Sequence, residues 1–378
     1  MEPLSGFADR GPQQSNAGAA SGSAPLGSAS LAVRLLLIGA ALLAVIAAFA
    51  YLGGWLTPNQ LTPSRLTDGF EQVAGLHPGF RRNHAKGMGV SGFFESNGRG
   101  ERLSKAAVFR PGRVPVIGRF SLAGPNPLQA DEPASVRGLG LQFSPPDAGP
   151  WRTAMIILPV FPVRTPEAFY EQLLASAPDP KTGKPDPDKM KSFLASHPES
   201  ERALGIIKKR PISSGFANST FHSLNAFWFV NSAGESKPVR WILAPEQPFE
   251  PARGPVPKEK NYLFDALIAE IRRQPLRWHL IIIVGQPGDP TDDATIPWPD
   301  SREQVDVGTL TLERAESDDT SPATALNFDP LVLPPGIAPS NDPLLSARSA
   351  VYSQSFTRRA GEPKPSSPIT PAEVSEGK

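Results

Sequence analysis

The stretch Arg81-Arg82-Asn83-His84-Ala85-Lys86-Gly87-Met88-Gly89-Val90-Ser91-Gly92-Phe93-Phe94-Glu95 decides what fold and chemistry to expect of this chain. It places one imidazole, His84, after two guanidiniums and before three glycines. Gly87, Gly89 and Gly92 carry no Cβ, so backbone there is able to come close to something flat or bulky. Phe93 and Phe94 are expected to supply apolar walls. A lone histidine says little about chemistry, but a second stretch near the other end of the chain answers it. This is Arg348-Ser349-Ala350-Val351-Tyr352-Ser353-Gln354-Ser355-Phe356-Thr357-Arg358-Arg359. In a helix, Arg348 and Tyr352 at i and i+4 share one face. A free tyrosine has a pKa near ~10, and a neighbouring guanidinium favours its phenolate.

Composition narrows the classes. Lys and Arg number 38 against 37 Asp and Glu, so the net charge of +1 leaves no basic excess for a nucleic-acid partner. There is no cysteine, which excludes disulfides, zinc-thiolate sites, iron–sulfur clusters and thiolate-ligated metal centres. The 44 prolines in 378 residues are about twice the usual ~5% and predict short strands and many loops. No P-loop, G-x-S-x-G or zinc-ligand spacing occurs, and His77, His197, His222 and His279 form no metal-binding pattern.

The N-terminal part reads differently from the rest. Residues 1–33, rich in Gly, Ser, Ala and Pro, are expected to be disordered. Leu35–Leu56 is uncharged and apolar throughout. At 1.5 Å per residue it spans roughly 33 Å, enough for a hydrocarbon core of about 30 Å. Tyr51 and Trp55 stand at its far end, where interfacial aromatics belong. Residues 34–56 therefore read as a transmembrane anchor. Ala48-Phe49-Ala50 has the form of a signal-peptidase site, but the leader before the apolar run is long for a signal peptide. Arg10 and Arg34 precede the span and only Arg65 follows closely, which puts the large domain on the periplasmic, extracytoplasmic side.

Beyond the anchor, a helix is predicted from Thr62 to Ala74, ended by Leu76-His77-Pro78-Gly79. Strands are predicted at Val114–Leu122, Val136–Phe143, Met155–Val163, Phe221–Val230, Val239–Ala244, Leu276–Val284 and Val305–Leu312. Asn231-Ser232-Ala233-Gly234 is a hairpin signal between two of them. Helices are predicted at Pro166–Ser176, Asp186–Ser196, Glu199–Lys209 and Tyr262–Arg273. Strands outnumber helices in an order unlike repeating βαβ units. The fold class is therefore α+β, an antiparallel barrel or sandwich with inserted helices.

The His84 stretch resembles the distal side of haem catalases, and the Tyr352 stretch resembles their proximal helix. Further matching segments are Val136-Arg137-Gly138 with Gln142-Phe143, Ala226 to Asn231 with Val239-Arg240-Trp241, and Pro287 to Asp292 with Trp298-Pro299. Pro334-Pro335-Gly336-Ile337, Ser340 and Asp342 then lead into the proximal helix. The resemblance covers Leu61 to Gly361 and implies an eight-stranded antiparallel β-barrel with haem against it, with inserted and C-terminal helices. Residues 57–361 are the expected haem domain, and the Pro/Ser-rich 362–378 an expected disordered tail. The C-terminal helical region and flavodoxin-like domain of longer catalases find no match, and no NADPH-binding domain is evident. The short catalase-related peroxidases are thus the family it resembles most.

The resemblance assigns roles. Tyr352 is the expected axial ligand of a b-type haem iron, with Arg348 beside it. His84 is the acid–base group over the iron, and Ser121 orients its imidazole. Arg81, Arg119 and Arg359 match propionate-binding arginines, and Phe169 an aromatic packed on the haem. His84 would take a proton from peroxide and return it to the departing oxygen, leaving a ferryl species for one-electron donors to reduce. Two departures stand out. The asparagine that catalases place beside the distal histidine is replaced by Ile156, and the small residue before that histidine is Asn83. The expected function is reduction of organic peroxides, and of hydrogen peroxide, with weak catalase activity. Two alternatives remain: a membrane-tethered barrel that merely binds haem or a lipid peroxide, and an enzyme that rearranges fatty-acid hydroperoxides.

Overall fold

A computed structural model describes residues 28–53, 55–56, 60–179 and 181–371. The chain divides into two compact units, Met1–Gln60 and Leu61–Lys378. The first contains α1, Ser28–Leu52, whose apolar stretch Ser30–Leu52 is long enough to cross a membrane and is exposed along its length. Helix begins inside the segment expected to be disordered and stops short of Trp55 and Leu56; residues 1–27 lie outside the described residues.

The second unit holds α2 (Pro63–Ala74), β1 (Gly87–Ser96), β2 (Gly112–Leu122), β3 (Arg137–Phe143), β4 (Trp151–Ile156), α3 (Pro166–Ala175), α4 (Pro187–Ser196) and α5 (Pro198–Lys209). There follow β5 (Phe221–His222), β6 (Phe227–Val230), β7 (Ser236–Pro245), α6 (Tyr262–Arg273), β8 (Leu276–Val284), β9 (Glu303–Glu316), β10 (Ile337–Pro339) and α7 (Pro343–Ala360). Proline opens α2, α3, α4, α5 and α7. Its fixed φ suits the first helical turn and its missing N–H costs nothing there. Thr62, Thr165, Asp186 and Asp342 cap the following N–H groups. The abundant proline thus starts helices as well as making loops.

Eight strands close a ring in the order β7-β5-β4-β3-β2-β1-β9-β8, with β8 pairing back to β7. Every pairing is antiparallel, and β6 and β10 extend from the other part of β7. The ring is closed, as the sequence led one to expect, and so has no free edge. Its interior is packed with rings: Trp151, Trp241, Trp278, Phe120, Phe143, Phe221 and Phe229 are all fully buried. Phe143 stacks on Trp151 with centroids 4.9 Å apart. The aromatic fill leaves the ring without a lumen, so a site has to lie outside it.

Three predicted elements change on folding. Phe221–Val230 is two strands, interrupted at Leu224, whose φ is 66°. The apolar run Met155–Val163 is strand only to Ile156, because Pro159 and Pro162 withhold ladder hydrogen bonds. Residues 362–371 are packed, correcting the expected disordered tail: Ile369 is buried, Ser367 N–H donates to Asp319, and Asn261 donates to Pro368 O. Residues 372–378 lie outside the described residues.

Candidate active site

Strand register builds the floor of the site. Ser121 of β2 faces Gly138 of β3, which faces Ile156 of β4; in the next row Arg119 faces Gly140, which faces Ala154. Burial along β4 alternates, with Trp151, Thr153 and Met155 turned into the barrel. Ala154 and Ile156 therefore point to the opposite face. Over this face lies a cavity of about 310 Å³, roofed by α7 and flanked by α2 and α3. On α7 the lining residues Leu344, Ala347, Arg348, Val351, Tyr352, Ser355, Phe356 and Arg359 recur at three- and four-residue steps, one helical face.

All ten candidate residues line this one cavity: Arg81, Asn83, His84, Arg119, Ser121, Ile156, Phe169, Arg348, Tyr352 and Arg359. His84 and Ser121 come from the sheet side, Tyr352 from the helix. His84 Nδ1 and Ser121 Oγ are 3.0 Å apart. A Cβ on Gly138 would lie 2.9 Å from His84 Cε1, so the imidazole rests directly on that glycine. Burial first, then the positive charges of Arg119, Arg348 and Arg81, push the imidazole pKa down to about 3. His84 is thus neutral at physiological pH, and its Nε2 has no protein partner among the described residues.

The three arginines expected to hold propionates divide into two kinds. Arg119 is bidentate to Asp318 and donates to the carbonyls of His84 and Ala85 at 2.8 and 3.0 Å. Its first task is to grip the backbone of the histidine loop. Arg81 and Arg359 have no carboxylate partner among the described residues. Both donate to Leu326 O, and each adds one more carbonyl, Ala323 O or Thr324 O. Burial, then repulsion from Arg119 and Arg359, lowers the pKa of Arg81; burial, then repulsion from Arg119, brings that of Arg359 to about 10; the Asp318 carboxylate acts against both shifts. Two desolvated cations that make no ion pair of their own among the described residues could hold anionic groups.

Arg348, one turn before Tyr352, donates to Asn225 Oδ1 and, at 2.9 Å, to Ala154 O. Asn225 Nδ2 donates to Asp342 Oδ2 at 2.7 Å, and Asp342 Oδ1 caps α7 through Leu344 N–H. The broken strand between β5 and β6 exists to deliver Asn225 to this chain. Asn225 and Asp318 were missed from sequence, and Gly138 was read only as part of a matching strand segment. Only Asp342 carried a signal, as an N-cap before Pro343.

Two expectations are corrected. Gly87, Gly89 and Gly92 face protein: a Cβ at each would strike Phe120 O, Ser321 Oγ and Thr311 O respectively. The glycines at the cavity are Gly138 and Gly140 of β3. Phe94 is buried in the barrel core and Phe93 lies under Arg113, so neither is a wall of the site. The aromatic walls are Phe70 and Phe161, each with its ring centroid 5.9 Å from that of Phe169 between them, and Phe328 over Gly140.

A closed antiparallel barrel, with a neutral histidine on its outer face and a helix-borne tyrosine lining the same apolar cavity, defines a catalase-like protein. The family profile for catalase matches residues 78–374. The chain is 39% identical over 305 residues to a catalase-related peroxidase of Synechococcus elongatus, covering 79% of this chain and 89% of that one. It is 31% identical to a catalase-related peroxidase of Mycolicibacterium paratuberculosis, covering 80% and 96%. Among solved structures, a fungal catalase superposes with a TM-score of 0.68 at 21% identity, covering 80% of this chain and 64% of the catalase. This chain thus spans just under two thirds of that catalase's length. The chain belongs to the catalase family.

Proposed function

We propose that this protein is a haem-dependent peroxidase that reduces organic hydroperoxides, and hydrogen peroxide, with only weak catalase activity. The observation that carries the reading is one cavity shared by neutral His84, helix-borne Tyr352 and the cations Arg81 and Arg359, which form no salt bridge among the described residues. The residues fit haem. Tyr352 offers an oxygen ligand for iron, and Arg81 and Arg359 offer partners for two carboxylates. When bound, haem supplies the iron at which a peroxide O–O bond is cleaved and the store of oxidising power passed to a one-electron reductant. Membership of the catalase superfamily makes the protein an oxidoreductase acting on peroxide.

The chain's own part is proton handling and exclusion of water. With Nδ1–H donated to Ser121 Oγ, the lone pair of His84 Nε2 is left for the cavity. A peroxide held there gives its proton to Nε2, and Nε2–H then returns it to the departing oxygen. Because His84 titrates near pH 3, it is available as a base across the neutral range. Phe70, Phe161 and Phe169 keep the surroundings dry and suit an alkyl substituent. Ile156 offers no hydrogen bond where a second hydrogen peroxide would be seated. A missing neutral hydrogen bond costs about 1 kcal/mol, roughly fivefold per peroxide, and disproportionation needs two.

The test compares haem-loaded protein with cumene hydroperoxide and a dye, and with hydrogen peroxide in an oxygen electrode. Dye oxidation should greatly exceed oxygen release, and Ile156→Asn should raise oxygen release. Oxygen release by the wild type at the rate of an ordinary catalase would overturn the reading. No peroxide turnover would favour a binding protein, and loss of a fatty hydroperoxide without reductant a rearranging enzyme.

A further inference from the structure

We infer that Asn83 is the positioning residue of the distal histidine, acting through its side-chain carbonyl on the backbone of His84. The inference deepens the peroxidase reading and rests on it for its kinetic arm only. His84 has a φ of 55°, in the left-handed region that a non-glycine residue rarely occupies without external support. That support is visible. Asn83 Oδ1 accepts from His84 N–H at 2.9 Å and from Gly124 N–H at 2.9 Å. Both partners are donors, so the atom facing them is the amide oxygen.

Gly124, with a φ of 123°, lies in the turn just after β2. Ala85 N–H donates to Gly124 O at 3.0 Å. The Asn83 carbonyl therefore bolts the loop before β1 to the turn after β2. The carbonyl of His84 is gripped separately by Arg119. Both polar groups of the His84 peptide are thus held by side chains, and the imidazole direction is set by the peptide. That direction matters because the ring lies on Gly138, where even one added Cβ would collide with it. A misdirected imidazole would leave Ser121 and the cavity together.

Asn83 Nδ2 has no protein partner among the described residues, and Asn83 lines the cavity. The amide could therefore act instead as a direct donor to peroxide, and the test separates the two roles. Asn83→Leu removes acceptor and donor. Asn83→Asp keeps the acceptor and loses the donor. Both are made in the full chain and compared with wild type at pH 8, where an added carboxylate leaves His84 neutral.

Hydrogen–deuterium exchange, with and without haem, reads the His84 and Gly124 amides. In Asn83→Leu these two should exchange about fivefold faster, the effect of one lost hydrogen bond. Per-haem kcat with cumene hydroperoxide should fall on the order of 10–100-fold, as small misplacements of catalytic groups do, with little change in KM. Asn83→Asp should keep both amides protected and kcat within about threefold of wild type. Unchanged exchange in Asn83→Leu would overturn the inference. So would protected amides in Asn83→Asp with a kcat as low as that of Asn83→Leu, because the lost donor would then be the important group. If wild type shows no peroxide turnover, the peroxidase reading fails, and the exchange data still decide whether Asn83 holds the His84 backbone.

Discussion

In the proposed function His84 and Tyr352 carry the chemistry, and each makes a prediction of its own. Tyr352→Phe removes the phenol oxygen proposed as the iron ligand, so the purified variant should contain little haem or show an altered Soret spectrum. Haem content and spectrum equal to wild type would remove Tyr352 from its role. His84 predicts the pH dependence. Its folded pKa of about 3 lies below the unfolded value of about 6.5. His222 shares this, with a pKa lowered to about 4 by desolvation and then by Arg210. Below pH 6.5 the unfolded chain takes up protons that the folded protein refuses. Stability therefore rises with pH through this window and is lost as pH falls from 6.5 towards 4. Thermal melts at pH 7 and pH 5 should show the lower midpoint at pH 5, and His222→Gln should lessen the difference. Per-haem kcat/KM for peroxide should show no titration near pH 6.5; a limb centred there would mean a solvated imidazole.

At the scale of elements, α7 and the segment after it join the two sides of the site. Arg82, directly before Asn83, is paired with Glu71 of α2 and with Glu362, while Glu362 also accepts from Gly79 N–H at 2.8 Å. Lys364 donates to Asp318 O, and the Asp318 carboxylate is the partner of Arg119. The segment after α7 is thus a strap across the histidine loop. Arg82 is nearly buried, so the pair with Glu362 is screened less than a surface ion pair. Glu362→Gln should cost on the order of 1 kcal/mol, a fall of about 2–4 °C in melting temperature for a domain of this size. Removing residues 362–378 should cost more and hasten haem loss to apomyoglobin. A truncated protein that keeps its melting temperature and its haem would show the strap to be ornamental.

For the whole molecule, the open question is where the barrel works. Ser30–Leu52 is long and apolar enough for a bilayer, and its side chains are exposed. The proposal of a retained anchor predicts that intact protein fractionates with membranes, resists extraction by high salt and dissolves in detergent. N-terminal sequencing of the mature protein checks it. A soluble product starting at Tyr51 would mean a cleaved signal. A protease added to intact cells after outer-membrane permeabilisation should reach the barrel if that lies outside the cytoplasm.

The amino-acid sequence by itself determined what depends on neighbours along the chain. Helices α2 and α6 and strand β8 match their predicted spans closely, because apolar period, capping residues and proline position are local signals. The Arg348–Tyr352 face was legible for the same reason, being one turn of one helix. Tertiary structure decided everything that depends on register between distant strands. Only pairing of β2, β3 and β4 shows that Ser121, Gly138 and Ile156 form one row, and that Gly138, not Gly87, lies under the imidazole. Asn225 reaches Arg348, Asp318 reaches Arg119, and Glu362 reaches Arg82 across long separations in sequence. The physical reason is that a glycine or a carboxylate carries no mark of its partner. Local preference fixes its backbone, and closure of the barrel fixes what stands opposite.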